Sequence, residues 1–301
     1  MHNQNFLLHH HRLKIISLDG GKQPVISKES KNLMVYNGEI YNYKNIVKKL
    51  KNIKKIDFNS DTHVAFEFIN QNGIHKALKE FNGMFAMAYL DSKNSKIYLA
   101  RDSYGQKPLY YSLQSGKLFF GSELKSLLKN KNLKLNSEIN IDSVNKYLFF
   151  DSIPGKETHY KNIFKVLPGE IICFKINNDS VSIEYSEKFL ESKQTLENNV
   201  VDKNANIIEK LDESLHLAVQ QHLISDVPIA GLLSGGLDSS LICAIAKKYT
   251  DIETYTIGFE EETHNEIIHA QKVSKHLSLK NNSIILSNSD LKENVEELFS
   301  I

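Results

Sequence analysis

The pattern of hydrophobic and polar positions changes about half-way along the chain. In the first half, short apolar runs at residues 12–17, 33–36, 84–90 and 97–100 are separated by turn-forming residues, which predicts strands. Two further runs, at 170–174 and 181–185, flank an Asn-Asn-Asp turn and predict a hairpin. Strands and helices are segregated here, so we expect stacked antiparallel sheets with flanking helices.

In the second half, strand and helix patterns alternate. An apolar run at 229–233 ends at Ser234-Gly235-Gly236, and helical spacing follows it directly. Residues 253–259 and 282–286 predict the next two strands. Such alternation implies a parallel sheet with right-handed crossovers, in which ligands lie at the carboxyl ends of the strands. We expect residues 229–233 to form a buried strand.

An amphipathic helix and a polar segment indicate where the domains divide. Apolar residues recur at four-residue steps and predict one helix face packed on the core: Ile207, Leu211, Leu215, Val219 and Leu223. Residues 186–205 are polar with little periodicity and predict a linker. The sequence therefore predicts an α+β domain at residues 1–185, a linker at 186–205, and an incomplete α/β domain at 206–301.

Composition excludes several classes of partner. The 301 residues are 41% hydrophobic and 24% charged, with a net charge of +1, so we expect neither a nucleic-acid partner nor a membrane surface. The N-terminus lacks a signal-peptide core, and Cys173 and Cys243 stand far apart in apolar surroundings. We expect buried thiols and a cytoplasmic protein. The tract of residues 9–11, three histidines, predicts a strand end rather than a metal site, because no second ligand cluster lies nearby.

The glycine turn at residues 234–236 has the features of an anion site. Adjacent glycines allow close approach of a ligand, and the N–H groups and dipole of the following helix favour negative charge. Ser234, Ser239 and Ser240 add hydroxyl groups, and Asp238 could hold a divalent cation against the same phosphates. We predict a pyrophosphate cradle; the alternative is a serine-glycine turn without a ligand. No lysine follows the glycines, so the motif is not a Walker loop.

Residues 227–240, VPIAGLLSGGLDSS, resemble the PP-loop of the ATP pyrophosphatases. The preceding residues, 222–228, make the stretch similar to glutamine-dependent asparagine synthetase rather than to GMP or NAD synthetase. The first half resembles the glutaminase domain of the same family, a class II amidotransferase with an Ntn-hydrolase-like fold. The motifs that carry this second resemblance are HRL at 11–13, VYNGEIYN at 35–42, SDT at 60–62, the stretch at 100–111, GSELK at 121–125 and IFKVLPG at 163–169.

The resemblance implies a glutamine site in the first domain. Arg12 would hold the α-carboxylate as a fork, and Glu39 and Asp61 would hold the α-ammonium. Asn37 and Gly38 would be the oxyanion donors, although Asn-Gly after a strand is more commonly a hairpin turn. Leu13 and Ile16 complete the implied glutamine-binding set.

The family's nucleophile is implied to be a cysteine at the mature N-terminus, whose own α-amine acts as the base. This chain opens Met1-His2-Asn3-Gln4, and its first cysteine is Cys173. We therefore assign no catalytic residue and expect the first domain to bind glutamine at best, with one sheet edge left unpaired.

The resemblance also implies an ATP site in the second domain. Leu232 or Leu233 would line the adenine pocket with Ile257, and Gly258 would lie beside them. The phosphates would lie on the PP-loop, at Ser234, Gly235, Gly236, Asp238 and Ser239, and Asp238 would hold Mg²⁺. Asn265 stands where the family usually has an aspartate, and it is also placed to cap the following helix.

The implied reaction is the ATP-dependent amidation of aspartate to asparagine with ammonia from glutamine, releasing AMP and pyrophosphate. The implied partners are glutamine, aspartate and ATP, with a homodimer as a further expectation. Because the family's nucleophile and its later SGDGGDE motif are not in the sequence, we expect a fragment that does not run the whole reaction alone. Two alternatives stay open: a non-catalytic module that binds glutamine or ATP, and an amidotransferase acting on another carboxylate, such as a sugar or lipid precursor.

Overall fold

The computed structural model describes residues 6–51, 58–129, 138–178, 180–190, 207–260 and 265–300. The chain divides into two compact units, Met1–Glu197 and Asn198–Ile301. The predicted linker, residues 186–205, lies outside the described residues from 191 onward, and its residues 186–188 belong to the last strand of the first unit.

The first unit contains two antiparallel sheets. The larger has the strand order β1-β2-β3-β4-β8-β9 and the smaller β6-β5-β7. The strands are β1 Val25–Ile26, β2 Leu33–Ile40, β3 Gly83–Asp91, β4 Lys96–Arg101, β5 Tyr110–Gln114, β6 Lys117–Gly121, β7 Phe164–Lys165, β8 Glu170–Asn177 and β9 Ser180–Lys188. The helices are α1 Tyr43–Val47, α2 Asp61–Asn72, α3 Ile74–Glu80, α4 Leu124–Leu128 and α5 Ile141–Phe150.

A shared apolar core joins the two sheets. Leu99 of β4 and Phe174 of β8 are fully buried, and they belong to one cluster with Tyr111 of β5. The rings of Tyr111 and Phe174 meet edge to face with their centroids 5.8 Å apart. Each buried side chain of this size contributes about 1.5–3 kcal/mol to folding. The expected layers of antiparallel sheet are confirmed.

Helix α2 begins at a side-chain cap. The Ser60 hydroxyl accepts the His63 N–H at 3.4 Å and so satisfies one of the free N–H groups at the helix start. The helix buries Val64 and Phe68, and its Phe66 ring lies edge-on to the ring of Tyr89 in β3 at 6.3 Å. The beginning of α2 is thereby fixed next to β2.

Two predictions about the N-terminal region are wrong. Residues 12–17 do not form a strand, because the Arg12 guanidinium takes the carbonyl oxygens of Ile16 and Ser17 that a neighbouring strand would need. The histidine tract at 9–11 is consequently not a strand end. The alternative interpretation of the Asn-Gly pair, a hairpin turn, is excluded because β2 runs through Asn37 and Gly38 to Ile40.

The second unit contains a parallel sheet of order β10-β11-β12, as expected. Its elements are α6 Ile207–His222, β10 Ala230–Leu232, α7 Leu237–Lys247, β11 Glu253–Phe259, α8 Ile267–Leu277, β12 Asn281–Leu286 and α9 Asn288–Ser300. Residues of β11 alternate between buried Thr254, Thr256 and Gly258 and the more exposed Tyr255 and Ile257. One face of the sheet is thus packed and the other is open.

Two predictions about the second unit are wrong. Residues 229–233 are not a wholly buried strand, since Leu232 is 79% exposed and only Leu233 is buried. The apolar stripe of α6 packs only over its second half, where Val219 is buried. Ile207 and Leu211 are more than half exposed, and the apolar cluster around Val219 does not include them.

Candidate functional site

A cavity of about 140 Å³ lies where β2, the start of α2 and the N-terminal segment meet. It brings together all seven residues predicted to bind glutamine: Arg12, Leu13, Ile16, Asn37, Gly38, Glu39 and Asp61. We call this the β2 cavity. Its wall also contains residues that the sequence did not single out, among them His10, Gln23, Tyr36, Met84 and Lys107.

Strand β2 supplies the wall at Asn37 and Gly38. Gly38 has φ +148°, and a Cβ there would lie 2.0 Å from the carbonyl oxygen of Met84. Only glycine fits this close approach, so the main chain itself forms the cavity edge. The Asn37 amide reaches towards the Ser122 hydroxyl, 3.5 Å away, at the end of β6.

Asp61 connects the cavity's strand to its helix. One carboxylate oxygen accepts the Ile40 N–H at 3.0 Å and the Tyr36 hydroxyl at 3.2 Å, and the other accepts the Thr62 N–H at 2.7 Å. Burial raises the pKa of Asp61, and these hydrogen bonds oppose the rise. Burial, followed by the nearby Asp61 charge, raises the pKa of Tyr36. Asp61 therefore holds the end of β2 against the beginning of α2.

Arg12 is bound to its own segment. Its Nη1 donates to the Gly20 carbonyl at 2.8 Å, and its Nη2 donates to the carbonyls of Ile16 at 2.5 Å and Ser17 at 3.0 Å. Gly21 has φ +63°, and a Cβ there would lie 2.7 Å from Arg12 Nη2. The guanidinium thus shapes the cavity wall. Leu13 lies beside it and is 83% exposed.

Gln23 and His10 complete the N-terminal side of the cavity. The Gln23 amide pairs with the main chain of Tyr36 in both directions, at 2.6 and 2.8 Å, as a neighbouring strand would. Burial lowers the pKa of His10, and a hydrogen bond to the main chain of Tyr36 opposes that shift. Neither role has a signal in the sequence pattern, because both depend on which main chain the side chain meets.

Lys107 lies in a loop whose main chain is held by the side chains of Arg101 and Asp102. The buried Asp102 carboxylate accepts main-chain N–H groups from Phe85, Tyr104, Gln106 and Lys107 at 3.0–3.2 Å. The Arg101 guanidinium donates to the carbonyls of Gly105, Lys107 and Val166 at 2.6–2.9 Å. Lys107 belongs to the stretch at 100–111 that carries the family resemblance, so the sequence contained a signal for it.

In the second unit, the serines of the glycine turn are joined in a small network. The hydroxyls of Ser234 and Ser239 are 2.9 Å apart, and the Gly236 N–H donates to Ser234 Oγ at 3.3 Å. Gly235 has φ +81°, and a Cβ there would lie 2.5 Å from the Ala270 nitrogen of α8. Among the residues that the structure describes, a Cβ at Gly236 would meet only the Ser234 hydroxyl, at 3.4 Å. The turn is therefore packed on one side and open on the other.

The remaining residues predicted for ATP divide between the two faces of the sheet. Leu232 and Ile257 share the open face, since Leu232 pairs with Tyr255 in the parallel register. Leu233 is buried against Cys243 and Ala270, on the packed face. On that face a Cβ at Gly258 would lie 2.4 Å from Ile267 Cδ1. Asp238 and Gly236 are exposed at the start of α7, where no side chain caps the helix.

Asn265 precedes Glu266, the N-cap residue of α8, where no side chain makes a capping hydrogen bond. The Asn265 Oδ1 accepts the Ile267 N–H at 3.0 Å, at the beginning of α8. The same oxygen lies 2.7 Å from where a Cβ at Gly258 would stand. Asn265 is therefore not the N-cap predicted for this position, because its side chain accepts from the residue two positions further on, as in an Asx turn.

A family model of the glutamine amidotransferase domain matches residues 1–186, and a family model of asparagine synthase matches residues 210–301. The chain belongs to the glutamine-hydrolysing asparagine synthetase family. The β2 cavity lies in the amidotransferase part, and the glycine turn lies in the asparagine synthase part.

Relatives in this family cover most of the chain. The chain is 31% identical over 279 residues to glutamine-hydrolysing asparagine synthetase 1 of Bacillus subtilis, with 92% of this chain and 42% of that protein covered. It is 30% identical to asparagine synthetase B of Escherichia coli, over 82% of this chain and 38% of that protein. It is also 30% identical to the asparagine synthetase of Gallus gallus, over 97% of this chain and 51% of that protein. The chain thus spans about half or less of the length of these relatives.

Two further observations concern metals and membranes. Within the described ranges, no three or more His, Cys, Asp or Glu side chains are grouped so that they could hold a metal ion. None of the helices in the described part of the chain combines the length and the apolar character that crossing a membrane requires.

Proposed function

We propose that the first unit binds glutamine in the β2 cavity and that the second unit binds the phosphates of ATP at the start of α7. These would be the glutaminase and PP-loop sites of an asparagine synthetase. The observation that carries the proposal is that a single cavity collects all seven residues assigned to a glutamine ligand from sequence resemblance. Their sources are three separate segments, so proximity along the chain does not explain the grouping.

Charge and shape in the β2 cavity suit an amino acid with a side-chain amide. Glu39 and Asp61 place two carboxyl groups in the wall, which favours the α-ammonium group. Asn37 and the main chain of Gly38 provide polar groups that could hydrogen-bond the carbonyl oxygen of the ligand's side-chain amide. A cavity of about 140 Å³ admits a small ligand but not a nucleotide.

The start of α7 suits a pyrophosphate group. The exposed Gly236 and the hydroxyls of Ser234 and Ser239 stand beside the uncapped helix end, which favours an anion. Leu232 and Ile257 offer an apolar surface on the open face for an adenine ring. Asp238 is exposed in the first turn, and one carboxylate combined with substrate phosphates is the ligand set that Mg²⁺ prefers. Asp238 would therefore hold Mg²⁺ that arrives with ATP.

Glutamine hydrolysis requires a thiolate, and neither cysteine of this sequence is suited to supply one. Burial, followed by Glu184, raises the pKa of the Cys173 thiol to about 11, and burial raises the pKa of Cys243. Both thiols are buried and free. We therefore propose binding of glutamine without its hydrolysis by this sequence alone. Amidation of aspartate is proposed as the activity of the whole protein in this family. A cytoplasmic location and a homodimer stay predictions.

Isothermal titration of the purified chain with glutamine and with ATP·Mg²⁺ tests the proposal, together with an assay for released ammonia. We expect saturable binding of both ligands and no ammonia. Replacing Glu39→Gln should weaken glutamine binding, whereas Glu29→Gln, at an exposed position, should not. Absence of glutamine binding, or equal affinity in the Glu39→Gln variant, would contradict the glutamine site, and release of ammonia at enzymatic rates would contradict the binding-only role.

A further inference from the structure

We propose that the exposed side and last turn of helix α5 form a self-association surface, through which two copies of this chain make a two-fold symmetric dimer. We call it the α5 surface, and it consists of Ile141, Asn145, Leu148, Phe149 and Phe150. Three observations carry the inference: α5 directs its large apolar side chains away from its own unit, their area matches that of a dimer interface, and the lysines around them are paired within each copy. The inference is independent of the proposed glutamine and ATP sites.

Helix α5 is attached to its own unit through polar contacts. Ser143 is the one residue of α5 that is buried, and its N–H donates to Asn140 Oδ1 at 3.2 Å. The Ser143 hydroxyl lies 3.5 Å from a carboxylate oxygen of Glu157, which also pairs with the Lys146 ammonium. An amphipathic helix of a globular domain normally packs its apolar stripe on the core. In α5 the polar side is packed and the apolar side is free.

The four large apolar side chains of the α5 surface are exposed to solvent. Leu148 is 75% exposed and Phe149 is 80% exposed, and Ile141 and Phe150 are each more than half exposed. Ile141 and Leu148 are two helical turns apart and share one side of the helix. The Phe149 and Phe150 rings meet edge to face with their centroids 4.7 Å apart, so the last turn ends in a compact aromatic pair. Exposed apolar surface of this extent marks an interaction site on a globular protein.

A groove of about 520 Å³ runs along the helix beside the aromatic pair. Its lining combines polar and aromatic side chains: Asp142, Asn145, Lys146, Phe149, Phe150 and Glu157. In a two-fold contact the same surface lies on both sides, so each copy supplies both an aromatic end and a groove. When the two helices run antiparallel, the aromatic end of one lies over the Asp142 end of the other. Asn145, half-way along, then meets its own counterpart, and its amide can both donate and accept a hydrogen bond.

The apolar area of the α5 surface suits a dimer of this chain. Four side chains of this size and exposure offer roughly 600 Å² of apolar surface. A standard interface buries about 800 Å² on each partner, and homodimer interfaces are about 65% apolar, which is roughly 500 Å². An interface with an unrelated partner is about as apolar as the rest of a protein surface and does not need this much. The α5 surface thus supplies the apolar area that each side of a stable homodimer requires.

The lysines around the α5 surface are paired within each copy. Lys146 pairs with Glu157, and Lys161 pairs with Glu138 at 3.0 Å. Asp142 lies in the first turn of α5, where the helix dipole favours a negative charge. A strongly acidic or basic partner therefore meets no complementary excess of charge here. A second copy, which brings the same apolar and neutral polar groups, is the occupant that this chemistry fits.

Sedimentation velocity of the full chain over a concentration range of about 1–100 µM tests the inference. We expect a reversible equilibrium between monomer and dimer, with a dissociation constant in this range or below. Replacing Phe149→Glu should raise the dissociation constant by about hundredfold or more, because a symmetric contact would bury two carboxylates without partners. Tyr104→Glu is the matched control, since Tyr104 is an aromatic residue that is 85% exposed and lies outside the α5 surface. It should leave the dissociation constant unchanged.

Leu148→Lys tests the same surface with the opposite charge, and it serves alone if Phe149→Glu unfolds. Thermal unfolding of each variant shows whether the fold is retained. A chain that stays monomeric across the range overturns the inference and leaves the α5 surface to a different partner. A dimer whose dissociation constant is unchanged in Phe149→Glu and in Leu148→Lys overturns it too, because another surface would then hold the copies together. Equal weakening in Tyr104→Glu would likewise overturn it, since association would not depend on α5.

Discussion

Gly38 of β2 and Gly83 of β3 each stand where the main chain of the opposite strand excludes a side chain. A Cβ at Gly38 would lie 2.0 Å from the Met84 carbonyl oxygen, and a Cβ at Gly83 would lie 2.0 Å from the Glu39 carbonyl oxygen. The main chains of the two strands are therefore in close contact beside Asn37, Gly38 and Glu39, the cavity residues of β2. This close approach fixes the main chain from which the proposed oxyanion donors project.

Replacing Gly38→Ala should destabilise the first unit by about 3 kcal/mol or more, because the strands must separate and a left-handed φ must be kept by a residue with a Cβ. Glutamine binding should be lost as well. Urea denaturation followed by circular dichroism measures the change. Gly73→Ala is the matched control, since Gly73 has φ +82° but nothing within 4 Å of its Cβ position. That control should lower the free energy of unfolding by only about 1–2 kcal/mol. An equal loss of stability in the two variants would show that β2 and β3 can move apart to accommodate a Cβ.

Replacing Asp102→Ala should release the loop that carries Lys107. Four main-chain N–H groups would lose a charged acceptor, which predicts a loss of about 3 kcal/mol in the free energy of unfolding. Hydrogen–deuterium exchange should accelerate at the amides of Tyr104, Gln106 and Lys107. Asp19→Ala, at an exposed position, should leave these rates unchanged. Unaltered exchange in the Asp102→Ala variant would mean that other contacts hold the loop.

The Cys173 thiol should make the chain less stable in alkaline solution. Burial raises its pKa from an ordinary value of 9.0 to about 11, so the unfolded chain ionises first as the pH rises. The stability linked to this thiol is complete below pH 9 and is lost between pH 9 and about pH 11. Urea midpoints measured across this window should fall more steeply for the unsubstituted chain than for Cys173→Ala. Parallel slopes would show that the thiol titrates normally in the folded state.

Substitutions at the two neighbouring glycines of the PP-loop distinguish an effect on packing from an effect on ligand binding. Gly235→Ala should destabilise the second unit, because its Cβ would lie 2.5 Å from Ala270 N at a φ of +81°. Gly236→Ala should leave stability within about 0.5 kcal/mol, since its φ is −72° and its Cβ faces open space beyond Ser234 Oγ. It should nevertheless weaken ATP·Mg²⁺ binding, because the added methyl group occupies the proposed phosphate site. Unchanged ATP affinity in the Gly236→Ala variant would show that the phosphates do not bind at this position.

The sequence predicted those features that repeat along the chain. The apolar run at 84–90 and the pattern at 253–259 identified strands β3 and β11, and the parallel order of the second sheet followed from the helices between its strands. All seven residues of the glutamine set, which rest on resemblance, line one cavity. The local pattern carried the strand and sheet assignments, because each of them depends on neighbouring residues.

Features that depend on distant contacts were not predicted. Residues 12–17 have a strand-like pattern, but the Arg12 guanidinium occupies the carbonyls that strand pairing would use. The sequence left Leu232 and Leu233 as alternatives, and only the register with β11 places Leu232 on the open face beside Ile257. Lys107 belongs to the stretch at 100–111 that carries the resemblance, but its place beside the cavity depends on the hydrogen bond between Asp102 and Phe85, which no local pattern reveals.

A crystal structure of the full chain grown with saturating glutamine tests the central claim most directly. We predict density for one glutamine in the β2 cavity, with its amide at Asn37 and Gly38 and its ammonium at Glu39. Glutamine bound elsewhere on the chain, or a β2 cavity that holds only water at a glutamine concentration that saturates the protein in solution, would contradict the account.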